Sequence, residues 1–218
     1  MKHSFILVLS LIVVISLPVV ADQVTLKFTG VGGNNSGGVY TYPYNFAFSS
    51  NGITTATDVP LMCDTFQNEI SIGESWTATV SPLLSATGLF GSGSSTSYEE
   101  AGLIYLGVQN GTIDPNLGNW AVWGLFDSAI VSNPYAGTNN LSTLLSTVSS
   151  EVNSCNASCY AGLVLYTPNP GGIGLEQNGQ SYPQEFIGID PVPEPASLLL
   201  LRTGLIAIGG KLRRKLSS

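Results

Sequence analysis

The feature that most constrains this chain is the separation of two apolar ends from an acidic centre. One apolar run covers Phe5–Leu17 and a second covers Leu198–Gly210. Between them, in residues 22–191, thirteen carboxylates accompany a single cation, Lys27, so that this stretch carries a net charge of −12. We therefore expect one folded domain of about 170 residues between ends that serve another purpose.

The first apolar run has the layout of a secretory signal peptide. Lys2 and His3 form a short cationic start, and Val19 and Ala21 place small residues where a signal peptidase reads them. The run is too short to favour a membrane-spanning helix. We expect signal peptidase to remove residues 1–21.

The carboxyl-terminal segment has three consecutive parts. An extended Pro-Glu-Pro element, held out of helix by its prolines, comes before the apolar run, and a basic end follows it. The residues of the first and last parts are Val192, Pro193, Glu194, Pro195, Arg213, Arg214 and Lys215. This order resembles the PEP-CTERM sorting signal of exported bacterial proteins over residues 192–216. It departs from that signal at Arg202, where the family usually carries a small or apolar residue.

The resemblance implies a destination and several partners. An exosortase-type sorting protease would process the tail at the cell envelope, and the protein would remain at the cell surface or in an extracellular matrix with exopolysaccharide. The tail would attach the chain to the membrane until processing. An ordinary membrane anchor is the alternative, but residues 196–210 give only about 22 Å of helix against a bilayer core of about 30 Å.

The composition of the central stretch excludes several kinds of chemistry. The single histidine of the chain is His3, and no arginine lies between residues 22 and 191. Ser-His-Asp and Cys-His catalysis, histidine-ligated zinc and arginine clamps for phosphate are therefore excluded. One lysine leaves no electrostatic footprint for nucleic acid. We expect a non-catalytic protein without cofactor, metal or nucleic-acid partner.

The order of sequence patterns predicts an α+β fold. Alternating or apolar runs predict strands, with Asn51-Gly52 as a hairpin turn and Pro43 marking an edge strand. The expected strands are Gln23–Thr29, Val39–Phe48, Val59–Phe66, Ala161–Thr167 and Gln184–Asp190, and Glu69–Val80 is expected to form a bent strand or a hairpin. We predict a mainly antiparallel β-sandwich or barrel with a helical lobe inserted at about residues 97–154, and hydrophobic helices at both termini.

Three helix starts can be read in the lobe. Ser97 and Glu100 have the spacing of a capping box and predict a helix from about Tyr98 to Gln109. Asp114 before Pro115 predicts the start of a second helix. A third helix is predicted to begin at Asn139 or Asn140, because apolar residues follow at a spacing of 3.6.

The chain has three cysteines, so any disulfide leaves one over. Cys155 and Cys159 lie four residues apart, and we expect them to pair in an oxidising compartment. Cys63 then stays reduced as a buried, small apolar side chain.

Three segments around Cys63 and downstream, PLMCDTF, YEEAGLIYLG and NWAVWGLFD, resemble bacterial surface thioester domains. Those domains join a strand cysteine to the glutamine of a Thr-Gln-x-Ala-x-Trp motif and acylate amines on a partner surface. Here Asn119 stands at the glutamine position and Gly118 at the threonine position. The resemblance implies a shared fold and, as an alternative function, an adhesin that uses Cys63. Asparagine is one methylene shorter, so we expect Asn119 to lie near Cys63 without a covalent bond.

Carboxylates offer a second alternative, a glycoside hydrolase, which needs an acid and a nucleophile or base about 5–10 Å apart. The candidates are Asp64, Glu69, Glu74, Glu99 and Glu100. Nothing in their spacing brings two of them together, and a position near a helix start accounts for Glu99 and Glu100.

Overall fold

The structure is a computed structural model, and it describes residues 22–136, 138–169, 176–177 and 180–191. The strands of this part are β1 (Asp22–Val31), β2 (Asn35–Ser36), β3 (Val39–Tyr40), β4 (Tyr44–Ser50), β5 (Ile53–Cys63), β6 (Ser75–Pro82), β7 (Leu163–Asn169), β8 (Glu176–Gln177), β9 (Gln180–Ser181) and β10 (Phe186–Ile189). The helices are α1 (Ser95–Gln109), α2 (Pro115–Phe126) and α3 (Thr138–Val152).

Six strands form a closed antiparallel barrel in the order β1, β4, β5, β10, β7 and β6. Strand β6 closes it, because it pairs with β1 on one side and with β7 on the other. The β4–β5 hairpin turns at Asn51 and Gly52, which have φ values of 51° and 76°. Positive φ at both central residues is the geometry that an Asn-Gly hairpin turn favours.

The barrel interior is aromatic. Alternate residues of β4, namely Tyr44, Phe46 and Phe48, are buried, as the period of two in this segment predicts. The ring of Phe46 lies 4.8 Å from that of Phe186 and 5.7 Å from that of Trp76, both in edge-to-face arrangements. Such edge-to-face contacts stabilise the core beyond the area that they bury.

The helical lobe is inserted between β6 and β7, as the sequence predicts. It begins with a short 3₁₀ turn at Leu83–Ser85, earlier than the expected residue 97. α1 and α2 pack against each other, and both contact the barrel, α1 through β10 and α2 through β5. The α+β prediction is therefore confirmed. Of the two architectures that the sequence left open, a sandwich and a barrel, the structure has the barrel.

Several local predictions are wrong. Residues 69–74 form no strand, because β6 begins only at Ser75. Pro43 does not mark an edge strand. The predicted strand is interrupted between β3 and β4, and Pro43 lies in this interruption, before the residues of β4 that pair with β1. Ser97 does not cap α1, since a 3₁₀ turn at Ser92–Ser94 leads directly into the helix and makes Ser94 the cap residue. Glu100 consequently lies inside the helix and is buried.

The other two helix starts follow the sequence closely. Asp114 caps α2, and its Oδ1 accepts hydrogen bonds from the backbone N–H groups of Asn116 and Leu117, each at 3.0 Å. α3 begins at Thr138, so Asn139 and Asn140 lie inside the helix and the prediction that one of them caps it is wrong, although the helix itself is present.

The expected terminal helices, the expected signal peptide and the expected sorting tail of residues 192–216 all lie outside the described residues. Over the part of the chain that the structure describes, no helix combines the length and the apolar character needed to cross a bilayer.

Candidate functional site

Cys63 and Asn119 meet where the lobe packs on the barrel. Asn119 lies on α2 and is fully buried. Its Nδ2 donates to the backbone carbonyl of Cys63 at 3.0 Å, and its Oδ1 accepts from the backbone N–H of Tyr42 at 2.8 Å. One turn earlier on α2, Asn116 Oδ1 accepts from the Thr41 hydroxyl at 2.6 Å. The two asparagines thus hold α2 against Cys63 at the end of β5 and against residues 41–42, which lead into β4.

The thiol of Cys63 is sequestered. It has no exposed surface, and its Sγ donates to the backbone carbonyl of Thr65 at 3.4 Å. Burial, followed by the nearby carboxylate of Asp64, raises the pKa of Cys63 far above its usual range. Since the thiolate is the nucleophilic form, this environment suppresses the reactivity of Cys63.

The two tryptophans of α2 belong to the core around this cysteine. Trp120 and Trp123 are each 2 % exposed, and their rings lie 5.2 Å apart in an edge-to-face arrangement. Phe66 packs against Trp123 with ring centroids 5.0 Å apart. The aromatic cluster covers the side of Cys63 that faces the lobe.

Two carboxyl groups, those of Asp64 and Glu185, are buried beside Cys63 and meet each other directly. Asp64 immediately follows β5, and Glu185 immediately precedes β10, which pairs with β5. The backbone N–H of Asp64 donates to the backbone carbonyl of Glu185 at 3.3 Å, and the backbone N–H of Glu185 donates to the Thr65 hydroxyl at 3.3 Å, so that the two acidic residues lie side by side. Asp64 Oδ1 accepts from the Thr65 hydroxyl at 2.8 Å, whereas Asp64 Oδ2 meets no donor group. Two carboxyl groups that are buried side by side disfavour a second negative charge, so one of the two carries a proton.

The proton resides on Asp64, as the surroundings of the two groups indicate. Burial and then the charge of Glu185 raise the pKa of Asp64 well above its usual value. Burial also raises the pKa of Glu185, but several donors oppose this effect. Tyr98 donates its hydroxyl to Glu185 Oε1 at 2.6 Å, and the backbone N–H of Leu89 donates to Oε2 at 2.9 Å. Glu185 is therefore the carboxylate and Asp64 the acid of the pair.

The remaining carboxylates from the sequence analysis do not join this pair. The carboxylate of Glu74 accepts from the backbone N–H of Ser71 at 2.9 Å, and Glu69 is exposed. Glu99 and Glu100 lie on α1. Burial is the main cause that raises the pKa of Tyr160, and the charges of Glu99 and Glu100 raise it further. Asp64 and Glu185 are at most 1 % exposed, whereas the two carboxyls of a glycoside hydrolase must flank a bound substrate.

A broad open groove of about 630 Å³ runs beside the cluster. Tyr40 is 53 % exposed on its wall, and Phe66 adds a second aromatic ring. Gln67 and Glu69 supply exposed polar groups, and Gln184 lies at its floor. Gln184 is fixed in place because its Nε2 donates to the backbone carbonyls of Asn68 and Thr65 at 2.7 and 3.3 Å. Among the described residues that line the groove, Glu69 is the one formal charge.

Cys155 and Cys159 form a disulfide, with their Cα atoms 5.9 Å apart, as is usual for such bonds. It lies at the end of the lobe, between α3 and β7. Cys63 remains reduced. In the described ranges, no group of three or more His, Cys, Asp or Glu side chains is placed to hold a metal ion.

Comparison of the chain with protein-family models, with curated proteins and with solved structures found no match.

Proposed function

We propose that this chain is an exported, non-catalytic protein of the cell surface or extracellular matrix. It is sorted through its PEP-CTERM tail and holds a neutral polysaccharide in the groove beside Tyr40. The groove is the observation that carries this proposal. Its volume lies within the range of about 300–1,000 Å³ that is usual for ligand sites.

The chemistry of the groove suits a sugar ring. A pyranose presents an apolar C–H face and a rim of hydroxyl groups. Tyr40 and Phe66 offer aromatic rings whose electron-rich faces attract C–H groups. Gln67 and Glu69 offer amide and carboxylate groups that can bond to hydroxyls. An anionic polymer fits poorly, because the charge at the groove and the net charge of the domain are both negative.

Export is supported by one feature of the domain and one of the end segments. The disulfide between Cys155 and Cys159 suits an oxidising compartment. Six of the seven cations of the chain lie in the two end segments, where targeting uses them. A non-catalytic role is supported by the burial of the reactive groups, since Cys63, Asp64 and Glu185 are at most 1 % exposed.

Binding to immobilised polysaccharide tests the groove. We expect retardation in gels that contain a neutral polysaccharide from a panel of dextran, β-glucan and mannan, and no retardation by polygalacturonate. Tyr40→Ala should weaken binding about three- to tenfold, the usual worth of one aromatic contact. Ile53→Ala is the matched control, because Ile53 is 71 % exposed and does not line the groove. Absence of retardation on the whole panel, or equal losses in both variants, would contradict the proposal.

A thioester adhesin is the second candidate, and the contact between Asn119 and Cys63 favours it. Cys63 Sγ would attack the side-chain carbonyl carbon of Asn119, the C–N bond would break, and ammonia would leave with the thiol proton. Intact mass lower by one ammonia, together with methylamine incorporation that disappears in Cys63→Ala, would establish it. We expect the full mass, because Asn119 uses both ends of its amide as a structural clamp.

A further inference from the structure

The buried pair of Asp64 and Glu185 lies at the seam between the barrel and the helical lobe and joins β5, β10, α1 and the loop before α1. Asp64 extends from β5 and Glu185 precedes β10, while Tyr98 belongs to α1. Leu89 contributes its N–H from the loop that leads into α1. This loop approaches so closely that a Cβ on Gly88 would lie 1.9 Å from the Tyr98 hydroxyl and 2.7 Å from Glu185 Oε1.

One proton holds this arrangement together. Glu185 already accepts from Tyr98 and from Leu89, and Asp64 Oδ2 meets no donor group, so the two carboxyls need a proton between them. Within the ranges that the structure describes, no Lys or Arg side chain takes the place of this proton, because Lys27 is the one such residue there and it is exposed. Two ionised carboxylates in contact and out of water repel each other strongly.

The other titratable groups around the pair do not supply a positive charge. Cys63 from β5 and Tyr98 from α1 face it, and burial keeps both neutral by raising their pKa values. Asp127, at the end of α2, lines the same small cavity as Asp64 and adds a further carboxylate to that side. Among the described residues, every ionisable neighbour of the pair is thus an acid, and none of them offsets the charge left by loss of the shared proton.

We propose that Asp64 and Glu185 form a proton-operated latch between barrel and lobe, and that loss of their shared proton opens the seam and exposes Cys63. The proton leaves through the cavity of about 280 Å³ that Asp64 lines with Phe90, Trp123 and Phe126. Water enters by the same route to solvate the two carboxylates. Because Cys63 directly precedes Asp64 and donates to Thr65 just beyond it, movement of Asp64 uncovers the thiol. The latch is independent of sugar binding in the groove.

Alkylation of Cys63 measures the latch directly. With Cys155 and Cys159 in a disulfide, iodoacetamide reports on Cys63 alone. We define protection as the alkylation rate of the urea-unfolded chain divided by that of the folded protein at the same pH. This ratio removes the effect of the intrinsic ionisation of the thiol. We expect protection to fall with rising pH, by up to about tenfold per pH unit while one proton is released on opening.

The variant Asp64→Asn keeps a hydrogen-bond donor beside Glu185 but removes the titratable proton, because the N–H of an amide donates without titrating. We expect the protection of this variant to be independent of pH. Asp58→Asn is the matched control, since Asp58 is exposed and has a φ of 56°, which asparagine tolerates. It should retain the pH dependence of the wild type. Dependence on pH in Asp64→Asn, or constant protection in the wild type, would overturn the proposal.

A spectroscopic measurement covers the case in which Asp64→Asn does not fold. The infrared band of a protonated carboxylic acid should persist in the wild-type protein at neutral pH, where exposed carboxyls are ionised. It should disappear over the pH range in which protection is lost. A wild-type spectrum without this band at neutral pH would equally overturn the latch.

Discussion

The side-chain amide of Asn119 bonds at both ends, to the Cys63 carbonyl at 3.0 Å and to the Tyr42 N–H at 2.8 Å. A glutamine at this position would carry its amide one methylene farther from α2 and could not satisfy both backbone groups from the same helix position. The length of the asparagine side chain therefore suits Asn119 to act as a clamp between lobe and barrel.

Removal of the Asn119 clamp should be costly. In Asn119→Ala one buried N–H and one buried carbonyl lose their partner, and each unsatisfied group costs about 1–3 kcal/mol. We expect the free energy of unfolding to fall by about 3 kcal/mol or more, measured by urea denaturation. Asn153→Ala is the control, because Asn153 Nδ2 donates to Ser149 at 3.2 Å on an exposed surface. Its effect should stay within about 0.5 kcal/mol, and an equal effect of both variants would contradict the clamp.

The carboxyl pair should make the protein more stable in mild acid than at neutral pH. The ordinary pKa values of Asp64 and Glu185 are 3.8 and 4.5, and both are raised in the folded chain. Protons are then retained in the folded state after the unfolded chain has lost them. The contribution of the pair to the free energy of unfolding is fully present at pH values below the ordinary pKa values. It is lost as the pH rises through the raised pKa values of the folded chain.

Urea denaturation at a series of pH values measures this loss. Between the ordinary and the raised pKa values, the free energy of unfolding should fall by about 1.4 kcal/mol per pH unit for each proton retained. Asp64→Asn should flatten this slope, so that the variant becomes the more stable protein at the alkaline end of the range. A wild-type protein whose stability rises from about pH 5 to about pH 8 would contradict the assignment of the proton.

Gly88 should tolerate no side chain. Its φ is +51°, and a Cβ would overlap the Tyr98 hydroxyl at 1.9 Å. Gly33→Ala is the matched control, because Gly33 has a φ of +87° and nothing within 4 Å of its Cβ position. The control bears only the backbone strain of about 1–2 kcal/mol. Gly88→Ala should lose about 1–3 kcal/mol more by overpacking, measured as the difference between the two unfolding curves. Equal losses would show that the loop yields without disturbing Tyr98.

The disulfide should stabilise the end of the lobe modestly. Closure of the short loop between Cys155 and Cys159 is worth about 2 kcal/mol on the chain-entropy model. We expect the double variant Cys155→Ser, Cys159→Ser to lose about that amount in urea denaturation, with no further change on adding dithiothreitol. Peptide mapping without reductant should find these two cysteines joined. A bond from Cys63 to either of them would contradict the pairing.

The elements of this fold are local and could be predicted, whereas the carboxyl pair could not. Alternation in β4 and the Asp114-Pro115 start of α2 are each set by a few neighbouring residues. Closure of the barrel depends on β6 pairing with both β1 and β7, and no local pattern encodes this. Asp64 was one of several candidate carboxylates, but its partner Glu185 lies far along the chain. The one available signal was a carboxylate directly before the apolar segment Phe186–Ile189.

The last prediction concerns the proposed sorting tail, and it applies to the whole chain in the cell that produces it. If the Pro-Glu-Pro element directs exosortase processing, the mature protein should begin at Asp22 and lack the basic end. Replacement of Pro193, Glu194 and Pro195 by alanine should leave the basic end on the protein and keep it with the membrane. Intact mass of the protein extracted from the envelope reports both ends at once.

Pro191→Ala is the matched control for this experiment, because it removes a nearby proline outside the Pro-Glu-Pro element. Its mature mass should match that of the wild type, apart from the substitution itself. A wild-type protein that retains all 218 residues would contradict both export and sorting. Retention of the basic end in the wild type, after loss of residues 1–21, would instead establish a permanent anchor. Polysaccharide binding in the groove would survive either result, because it depends on residues of the folded domain alone.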